Sequence, residues 1–361
     1  MLCNRQIVTV AGTASAGYNG DDQAATQAQL SSPTCVFVSS RHEVYISDKK
    51  GHLIRKIYCD GTIKTIAGTG IRGYNGDNQL AIQAQLDRPS GLFVTDCGEV
   101  LFVDSGNNRI RMIQSNGMIV TIAGNGTKGY NGDGMLATDA QLYLPMNVFK
   151  YKNEVYISDW GNNRIRKILQ NGIIVTIAGN GKYGYNGDNR LSIRTQLSQP
   201  FGLHVHNDEV YFSEKNGCRI RKILSNGTIA TIAGNGVAGY NGDNILATQS
   251  QLNEPSGIFV SNCGHVYIAD YGNHRIRMVD SQSGMISTIA GTGQEGFSGD
   301  VPFDFEKYPH IGRKYLPLFS KRSSDGQFTV AWSYCDMVIK CSVIGESNWK
   351  NEPPKKKTKQ N

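Results

Sequence analysis

Gly73-Tyr74-Asn75-Gly76-Asp77, preceded by Thr65-Ile66-Ala67-Gly68, is the stretch that decides the fold, because the same letters return along the chain. The Gly-Tyr-Asn-Gly-Asp motif has its tyrosine at Tyr18, Tyr74, Tyr130, Tyr185 and Tyr240, and an altered sixth copy contains Phe297. The intervals between these aromatic residues are 56, 56, 55, 55 and 57 residues. A fixed period of this size indicates a stack or ring of similar supersecondary units.

One unit, residues 89–133, shows what is repeated. Short apolar segments cover residues 91–94, 99–104, 109–113 and 119–123, and turn-forming residues separate them. Short strands joined by such turns are typical of an antiparallel meander. A lone four-stranded sheet would expose apolar side chains on both faces, whereas sheets packed radially bury both. The repeat therefore predicts a β-propeller, because a two-sheet sandwich would not explain five in-register copies.

The number of blades follows from counting these units. Five complete meanders begin near Pro33, Pro89, Pro145, Pro200 and Pro255. Residues 7–11 match only a fourth strand, and the segments 315–319, 327–333 and 337–344 fall where the three missing strands are expected. We therefore predict an all-β, six-bladed β-propeller over residues 1–348. It has five regular repeats at about 33–291 and a divergent segment, 302–348, that closes the sixth blade with the N-terminal strand.

Two prolines in the divergent segment, Pro309 and Pro317, disfavour regular strands there. A small added domain that caps a five-bladed ring is therefore the alternative to a sixth blade. The last residues, 349–361, form a basic tail that we expect to be disordered. Its lysine run resembles a nuclear-import signal, although such runs are also common as solvated termini.

Charge and cysteine content limit the function classes. The formal net charge is +7, of which the tail contributes +4, so the charge of residues 1–348 argues only weakly for a nucleic-acid partner. The eight cysteines form no CxxC pair, which favours a reducing compartment and makes a disulfide framework or a zinc site unexpected. We expect no membrane span and no secretory signal, because residues 1–12 lack an apolar core.

The segments VYISDWGNNRIRKI (155–168), VYIADYGNHRIRMV (266–279) and LFVDSGNNRIRMI (101–113) resemble NHL repeats. The longer frame TIAGNGTKGYNGDGMLATDAQL (121–142) resembles the extended NHL repeats of teneurins. This resemblance covers residues 7 to about 300 and implies a six-bladed propeller. It implies little about activity, because NHL propellers serve as binding modules, as sensor domains of kinases and in a peptide-amidating lyase.

Four of the five units carry an acidic residue five positions before an arginine. The pairs are Asp104/Arg109, Asp159/Arg164, Glu214/Arg219 and Asp270/Arg275. We interpret them as ion pairs that hold the blades together, because a catalytic site would not be repeated in every blade. Asp48 is followed by Leu53 instead, so it should lack this partner.

The Gly-Tyr-Asn-Gly-Asp loops also have a structural interpretation. Asn-Gly tolerates positive φ, and the aspartate could cap a short helical turn at residues 80–86. We expect the tyrosine in each copy to pin the loop onto its own blade. A calcium site at residues 131–134 is disfavoured, because one carboxylate makes a poor oxygen cage.

Histidine content tests the lyase interpretation. A zinc-dependent lyase of the NHL type would need three histidines near the axis. The equivalent positions of the first strands hold Phe37, Phe93, Phe149, His204 and Phe259. One histidine among four phenylalanines indicates a packed ring, so we expect no enzyme activity and no cofactor.

Comparison among the copies separates residues needed for the fold from variable ones. The two residues before Gly-Tyr vary, and topology places all these loops on one face of the disc. Arg72, Lys128 and Lys182 come from three consecutive loops, with Arg190 and Arg194 nearby, and Tyr183 is the one aromatic residue among the variable pairs. This arc predicts a binding surface for an acidic peptide or a phosphate-bearing ligand, unless it is ordinary scattered surface charge.

The sequence therefore favours a non-enzymatic, intracellular scaffold, in the cytoplasm or the nucleus, that binds a protein partner as a monomer. Binding of single-stranded RNA to the same face is the alternative, and it would require exposed aromatic residues beside the basic ones. A lyase-type metalloenzyme is the third and least favoured hypothesis.

Overall fold

The computed structural model describes residues 7–296 and, beyond them, the strands Leu318–Ser320, Thr329–Tyr334 and Met337–Ser342. In these residues the regular structure consists of β-strands, in six sheets, and of short 3-10 helices. The first strand of each regular blade contacts the first strand of the next, and Met337–Ser342 lies between the first strands of the last and first blades. This closed order of contacts defines an all-β propeller, as predicted.

The five regular blades follow the repeat. Blade 1 consists of Gln23–Ala24, Pro33–Val38, Val44–Asp48, Leu53–Ile57 and Thr62–Ala67. Blade 2 consists of Gln79–Leu80, Pro89–Val94, Val100–Asp104, Arg109–Ile113 and Met118–Ala123. Blade 3 consists of Met135–Leu136, Asn147–Tyr151, Glu154–Asp159, Arg164–Ile168 and Ile173–Ala178. Blade 4 consists of Pro200–His206, Glu209–Glu214, Arg219–Ile223 and Ile229–Ala233. Blade 5 consists of Ile245–Leu246, Pro255–Val260, Val266–Asp270, Arg275–Val279 and Met285–Ala290.

Four of these blades have a fifth, two-residue strand at the outer edge, which the four-stranded meander did not include. In blade 2 it is Gln79–Leu80, which pairs antiparallel with the fourth strand. In blade 4 the matching segment makes only an isolated bridge between Leu191 and Thr228. These segments belong to the connectors, the loops that lead from the fourth strand of one blade to the first strand of the next. Each connector therefore crosses to the outer edge of the next blade before it returns to the axis.

Each connector also contains a 3-10 helix. These helices are Ala25–Gln27, Ala81–Gln83, Ala137–Asp139, Ser192–Arg194 and Ala247–Gln249. Three further 3-10 helices lie in the turns between second and third strands, at Ser105–Asn107, Trp160–Asn162 and Tyr271–Asn273.

The sixth sheet differs from a regular blade. It has the order Thr9–Ala11, Leu318–Ser320, Thr329–Tyr334, Met337–Ser342, and the N-terminal strand pairs in parallel with the next strand. A regular blade would pair its fourth strand antiparallel and would place its first strand at the axis, whereas here the last strand in the chain lies there. The structure therefore has five regular blades rather than the predicted six. The strands lie close to the predicted segments, and Pro309, Pro317 and the tail lie outside the described residues.

The core lies between neighbouring blades, and the connectors contribute to it. Ala81, Ala84 and Leu86 of one connector are fully buried with Ile54 of blade 1 and Phe102 of blade 2. Burying a leucine or phenylalanine side chain stabilises the folded state by about 1.5–3 kcal/mol. The repeated Ala, Ala and Leu positions are thus explained by packing between blades.

Five aromatic side chains, one from the first strand of each regular blade, pack against one another around the axis. Phe37 and Phe93 pack edge to face with centroids 5.1 Å apart, and Phe93 and Phe149 lie 4.9 Å apart. His204 continues the ring at 4.6 Å from Phe149 and 4.9 Å from Phe259. Aromatic residues at such separations stabilise each other beyond their buried area. The five first strands are therefore joined in sequence around the axis, as expected for a packed ring.

A second set of contacts joins each blade to the next through the turn between the second and third strands. The Asn108 side chain accepts a hydrogen bond from the backbone N–H of Leu144, and Asn163 accepts one from Gln199. His52 Nδ1 accepts the corresponding bond from Arg88 at 3.2 Å. In blade 4 Cys218 occupies this position, and its thiol faces the backbone N–H of Glu254.

The Cys218 contact is a weak point that substitution should strengthen. Cys218 has φ +49° and offers only a thiol, which is a poor acceptor, whereas asparagine tolerates positive φ and offers an amide oxygen. We expect Cys218→Asn to raise the free energy of unfolding by about 0.5–1.5 kcal/mol, the net contribution of one hydrogen bond. A urea titration measures the gain, with Asn108→Cys as the reciprocal variant, which should lose stability. A stability loss in Cys218→Asn would contradict this role of the turn.

Candidate interaction face

The Gly-Tyr-Asn-Gly-Asp motif attaches each connector to the blade that follows it. Asp77 accepts a 2.8 Å hydrogen bond from Arg111 Nη2, and the Tyr74 ring lies beneath the Arg109 guanidinium with its centroid 3.8 Å from the carbon. Three other tyrosines lie against the corresponding arginines, Tyr130 against Arg164, Tyr185 against Arg219 and Tyr240 against Arg275. Blade 1 has Leu53 at this position, and Tyr18 lies 5.0 Å from the guanidinium of Arg55, the counterpart of Arg111. The motif tyrosine therefore contacts the following blade rather than its own.

The motif aspartate does not act as a helix cap. The 3-10 helix Ala81–Gln83 has no side-chain cap, and the Asp77 carboxylate is bound by Arg111 and by the Thr121 hydroxyl at 3.1 Å. Asp133, the candidate calcium ligand, is likewise held by Arg166 at 2.9 Å. The aspartate is therefore a structural partner of an arginine.

The acid at the end of each second strand pairs with the second arginine of the third strand. Asp104 Oδ2 lies 3.3 Å from Arg111 Nη1, while Arg109 donates to the carbonyl groups of Asn107 and Asn125. The corresponding contacts are Asp159 with Arg166, Glu214 with Arg221 and Asp270 with Arg277. The predicted partners Arg109, Arg164, Arg219 and Arg275 were therefore wrong, because these residues turn outward onto the tyrosines.

These acid–arginine pairs are fully buried, and burial changes the acids. Loss of hydration raises the pKa of Asp104, Asp159 and Asp270 to about 6, against the lowering effect of their hydrogen bonds and arginines. Burial also raises the pKa of Glu214. In Asp104 one of the opposing hydrogen bonds comes from the Asn107 amide at 2.9 Å.

Asp48 is the exception. The sequence predicted that it lacks the first arginine of the third strand, which is Leu53 here, but it also lacks the second, Arg55, whose counterparts hold the acid in the other blades. Gly51 stands where blades 2, 3 and 5 have an asparagine, so no side-chain amide reaches the Asp48 carboxyl, and its Oδ2 has no hydrogen-bond partner within the described residues. Arg55 is directed to Asp21 at 2.9 Å and makes no ion pair with Asp48. Burial therefore raises the pKa of Asp48 to about 8, so this side chain is largely protonated at neutral pH.

The connectors and the turns between second and third strands share one edge of the disc. The Asn107 amide donates to the Gly73 carbonyl at 2.7 Å, and Asn162 and Asn273 make the matching bonds to Gly129 and Gly239. We call this edge the connector face. It presents the variable residues predicted as a binding arc.

The cations of the predicted arc differ in whether their charge already has a partner in the protein. Arg72 is exposed, but its Nε lies 3.0 Å from the buried Asp87 carboxylate. Lys128 places its ammonium 4.1 Å from the centroid of the Tyr143 ring. Lys182, Arg190 and Arg194 are exposed and make no ion pair within the described residues. Of the five predicted arc cations, the three without an ion pair or a ring contact in the described residues therefore lie on one connector, residues 179–197.

Backbone pairing shows which positions of the three loops are equivalent. Isolated parallel bridges join Arg72 to Leu86, Lys128 to Leu142 and Tyr183 to Leu197. Tyr183, not Lys182, is therefore the counterpart of Arg72 and Lys128. Lys182 occupies the adjacent position, which holds Ile71 in blade 1's outgoing connector.

The described residues contain no group of three or more His, Cys, Asp or Glu side chains placed to hold a metal ion. In the same residues, no helix is long and apolar enough to cross a membrane. Cys59, Cys97 and Cys263 are exposed thiols. They lie in hairpin turns at the edge opposite the connector face.

The closed ring of repeated, radially packed sheets places the chain among the repeat-built β-propellers. The family description "Teneurin NHL domain" matches residues 237–304. NHL repeat-containing protein 2 of Homo sapiens is 23% identical over 313 residues, which are 77% of this chain and 42% of that protein. The chain is thus a β-propeller whose repeats are similar to NHL repeats, among them those of the teneurin NHL domain.

Two further comparisons place it among known proteins. Protein SUPPRESSOR OF QUENCHING 1, chloroplastic, of Arabidopsis thaliana is 32% identical over 232 residues, which cover 59% of this chain and 22% of that protein. A Bacteroides thetaiotaomicron protein of unknown function shares the fold, with a TM-score of 0.59 at 15% identity over 93% of this chain and 75% of that one. The chain thus spans less than half the length of these curated relatives.

Proposed function

We propose that this propeller is a non-enzymatic, intracellular protein-interaction module that binds its partner on the connector face. One observation carries the proposal. The repeated aspartate and tyrosine of the connectors bind arginines of the following blade, while variable residues of the same loops are exposed. Rigid scaffolds that present variable loops are common binding platforms.

The proposal is tested by blocking each edge of the disc separately. The blocking variant combines Lys128→Glu and Lys182→Glu with Arg72→Gln, since a glutamate at position 72 would repel Asp87. The control is the unchanged chain with polyethylene glycol maleimide on Cys59, Cys97 and Cys263, which blocks the opposite edge. Partners captured from native cells are compared by quantitative mass spectrometry.

We expect the amount of partner captured by the charge variant to fall at least about tenfold, which corresponds to roughly 1.4 kcal/mol of binding free energy. The thiol-labelled chain should capture as much partner as the unlabelled one. Thermal unfolding midpoints confirm that both proteins remain folded. A partner that survives the charge variant and is lost on thiol labelling would place binding on the other edge.

RNA binding is the second candidate, because Tyr183 is exposed beside basic side chains. Base stacking on a tyrosine flanked by cations is a common way to hold single strands. A filter-binding titration over salt concentration tests it, since phosphate contacts predict a steep loss of affinity with salt.

A further inference from the structure

One connector differs from the others in charge. Residues 179–197 carry Lys182, Arg190 and Arg194 against one acid, Asp188, which Arg221 holds at 2.8 Å. The positions of Arg190 and Arg194 hold Gln79 and Gln83 in the connector ahead of blade 2. In the remaining connectors these two positions also hold glutamine or another uncharged residue, except that one of them holds Asp139. Since the fold accepts uncharged residues there, the two arginines are not needed for folding.

The same connector exposes apolar side chains between its cations. Tyr183 is 57% exposed, and Leu191 and Ile193, which flank Ser192, are 45% and 51% exposed. The Asn180 side chain joins the segment of Lys182 to that of Arg194, because its Oδ1 accepts the backbone N–H of Lys182 and its Nδ2 donates to the Arg194 backbone carbonyl. Cations and apolar side chains therefore form one continuous patch rather than two separate ones.

Several backbone N–H groups beside the cations already have acceptors. The N–H groups of Lys182, Gly184, Arg194, Thr195 and Gln196 all donate within the connector. A phosphate group is usually held by converging backbone N–H groups together with cations. The three cations of this connector instead stand at separate positions along it, an arrangement that matches carboxylates spaced along a chain.

We infer that residues 179–197 bind a linear acidic peptide in which glutamate or aspartate residues flank an exposed apolar side chain. The carboxylates would contact Lys182, Arg190 and Arg194, and the apolar side chain would pack on Tyr183, Leu191 and Ile193. This inference rests on the proposed function and identifies the kind of partner and the segment that binds it.

The test uses a fluorescein-labelled peptide in which glutamates alternate with glycines around a central leucine. Binding to the full chain is measured by fluorescence polarisation. The key variant is Lys182→Thr/Arg190→Gln/Arg194→Gln, which installs the residues that Thr127, Gln79 and Gln83 already place at the equivalent positions. A stable fold is therefore expected, and thermal unfolding checks it. We expect the affinity to fall at least about tenfold.

A rescue variant makes the test independent of any local damage. Gln79→Arg/Gln83→Arg, added to the triple variant, places two arginines around the exposed Leu80 and Ile82 beside Arg72. We expect it to regain most of the lost binding. Unchanged binding by the triple variant would overturn the inference, and so would a loss of binding that the rescue variant does not reverse.

Three further probes decide the chemistry. A peptide with glutamine in place of glutamate should bind at least about tenfold more weakly, and equal binding would overturn the charge argument. Tighter binding of a phosphoserine peptide or of oligouridine than of the acidic peptide would overturn it in favour of phosphate or RNA. If the native partner is lost in the face-wide charge variant but kept in the triple variant, this inference fails while the proposed function stands.

Discussion

Replacing Arg111 by methionine should lower the free energy of unfolding by about 3–5 kcal/mol, the cost of removing one partner from a buried ion pair. The Arg111 side chain is fully buried between two carboxylates, with Asp104 3.3 Å from Nη1 and Asp77 2.8 Å from Nη2. It also donates to the Gly76 carbonyl at 2.8 Å. Without it, the blade and its connector would each keep a polar group that has lost its donor.

The matched control for this variant is Arg109→Met, on the same strand two residues earlier. Arg109 is partly exposed, stacks on Tyr74 and donates to two carbonyl groups, but makes no ion pair with Asp104. Its loss should cost about 1–2 kcal/mol. Guanidinium chloride titrations monitored by tryptophan fluorescence measure both. Equal losses would mean that the buried arginine is no more important than the stacked one.

The difference between these two arginines marks how far the sequence could predict the site. The spacing placed Asp104 opposite Arg109 across the hairpin, and the strand register confirms this pairing of positions. Residues 109 and 111 lie on the same face of the strand, so spacing alone could not say which of them is buried. The choice depends on Asp77, which comes from a connector some 30 residues earlier in the chain and reaches Arg111 only in the folded ring.

The fold itself was predictable because the repeat supplies several independent copies of each strand. The sixth sheet lacks the motif. Without it, the sequence predicted where its strands lie, but not their direction or their order in the sheet. Apolar segments indicate where Thr329–Tyr334 and Met337–Ser342 lie, whereas nothing in them shows that the last strand would lie at the axis. Parallel pairing of Thr9–Ala11 depends on long-range contacts of the kind that local patterns do not encode.

Because no side-chain amide reaches the buried Asp48 carboxyl, the free energy of unfolding should depend on pH. Burial raises the pKa of Asp48 in the folded state to about 8, against about 3.9 in an unfolded chain. A raised folded-state pKa contributes stability that is complete below the unfolded pKa and is lost as pH rises through the folded one. The wild-type protein should therefore lose stability from this residue between about pH 4 and pH 8.

Asp48→Asn removes this titration while keeping the size of the side chain and the oxygen that accepts the Ser31 N–H. Between pH 5 and pH 8 the stability of the variant relative to wild type should rise by about 3.5 kcal/mol, since each pH unit corresponds to about 1.4 kcal/mol and the folded-state titration is half complete at about pH 8. Asp104→Asn is the control, because the pKa of Asp104 is about 6, so its relative stability should level off above that pH. Urea titrations at several pH values measure both variants. If the relative stability of Asp48→Asn stays constant from pH 5 to pH 8, Asp48 must be ionised throughout, and Arg55 must hold its charge as the other arginines hold theirs.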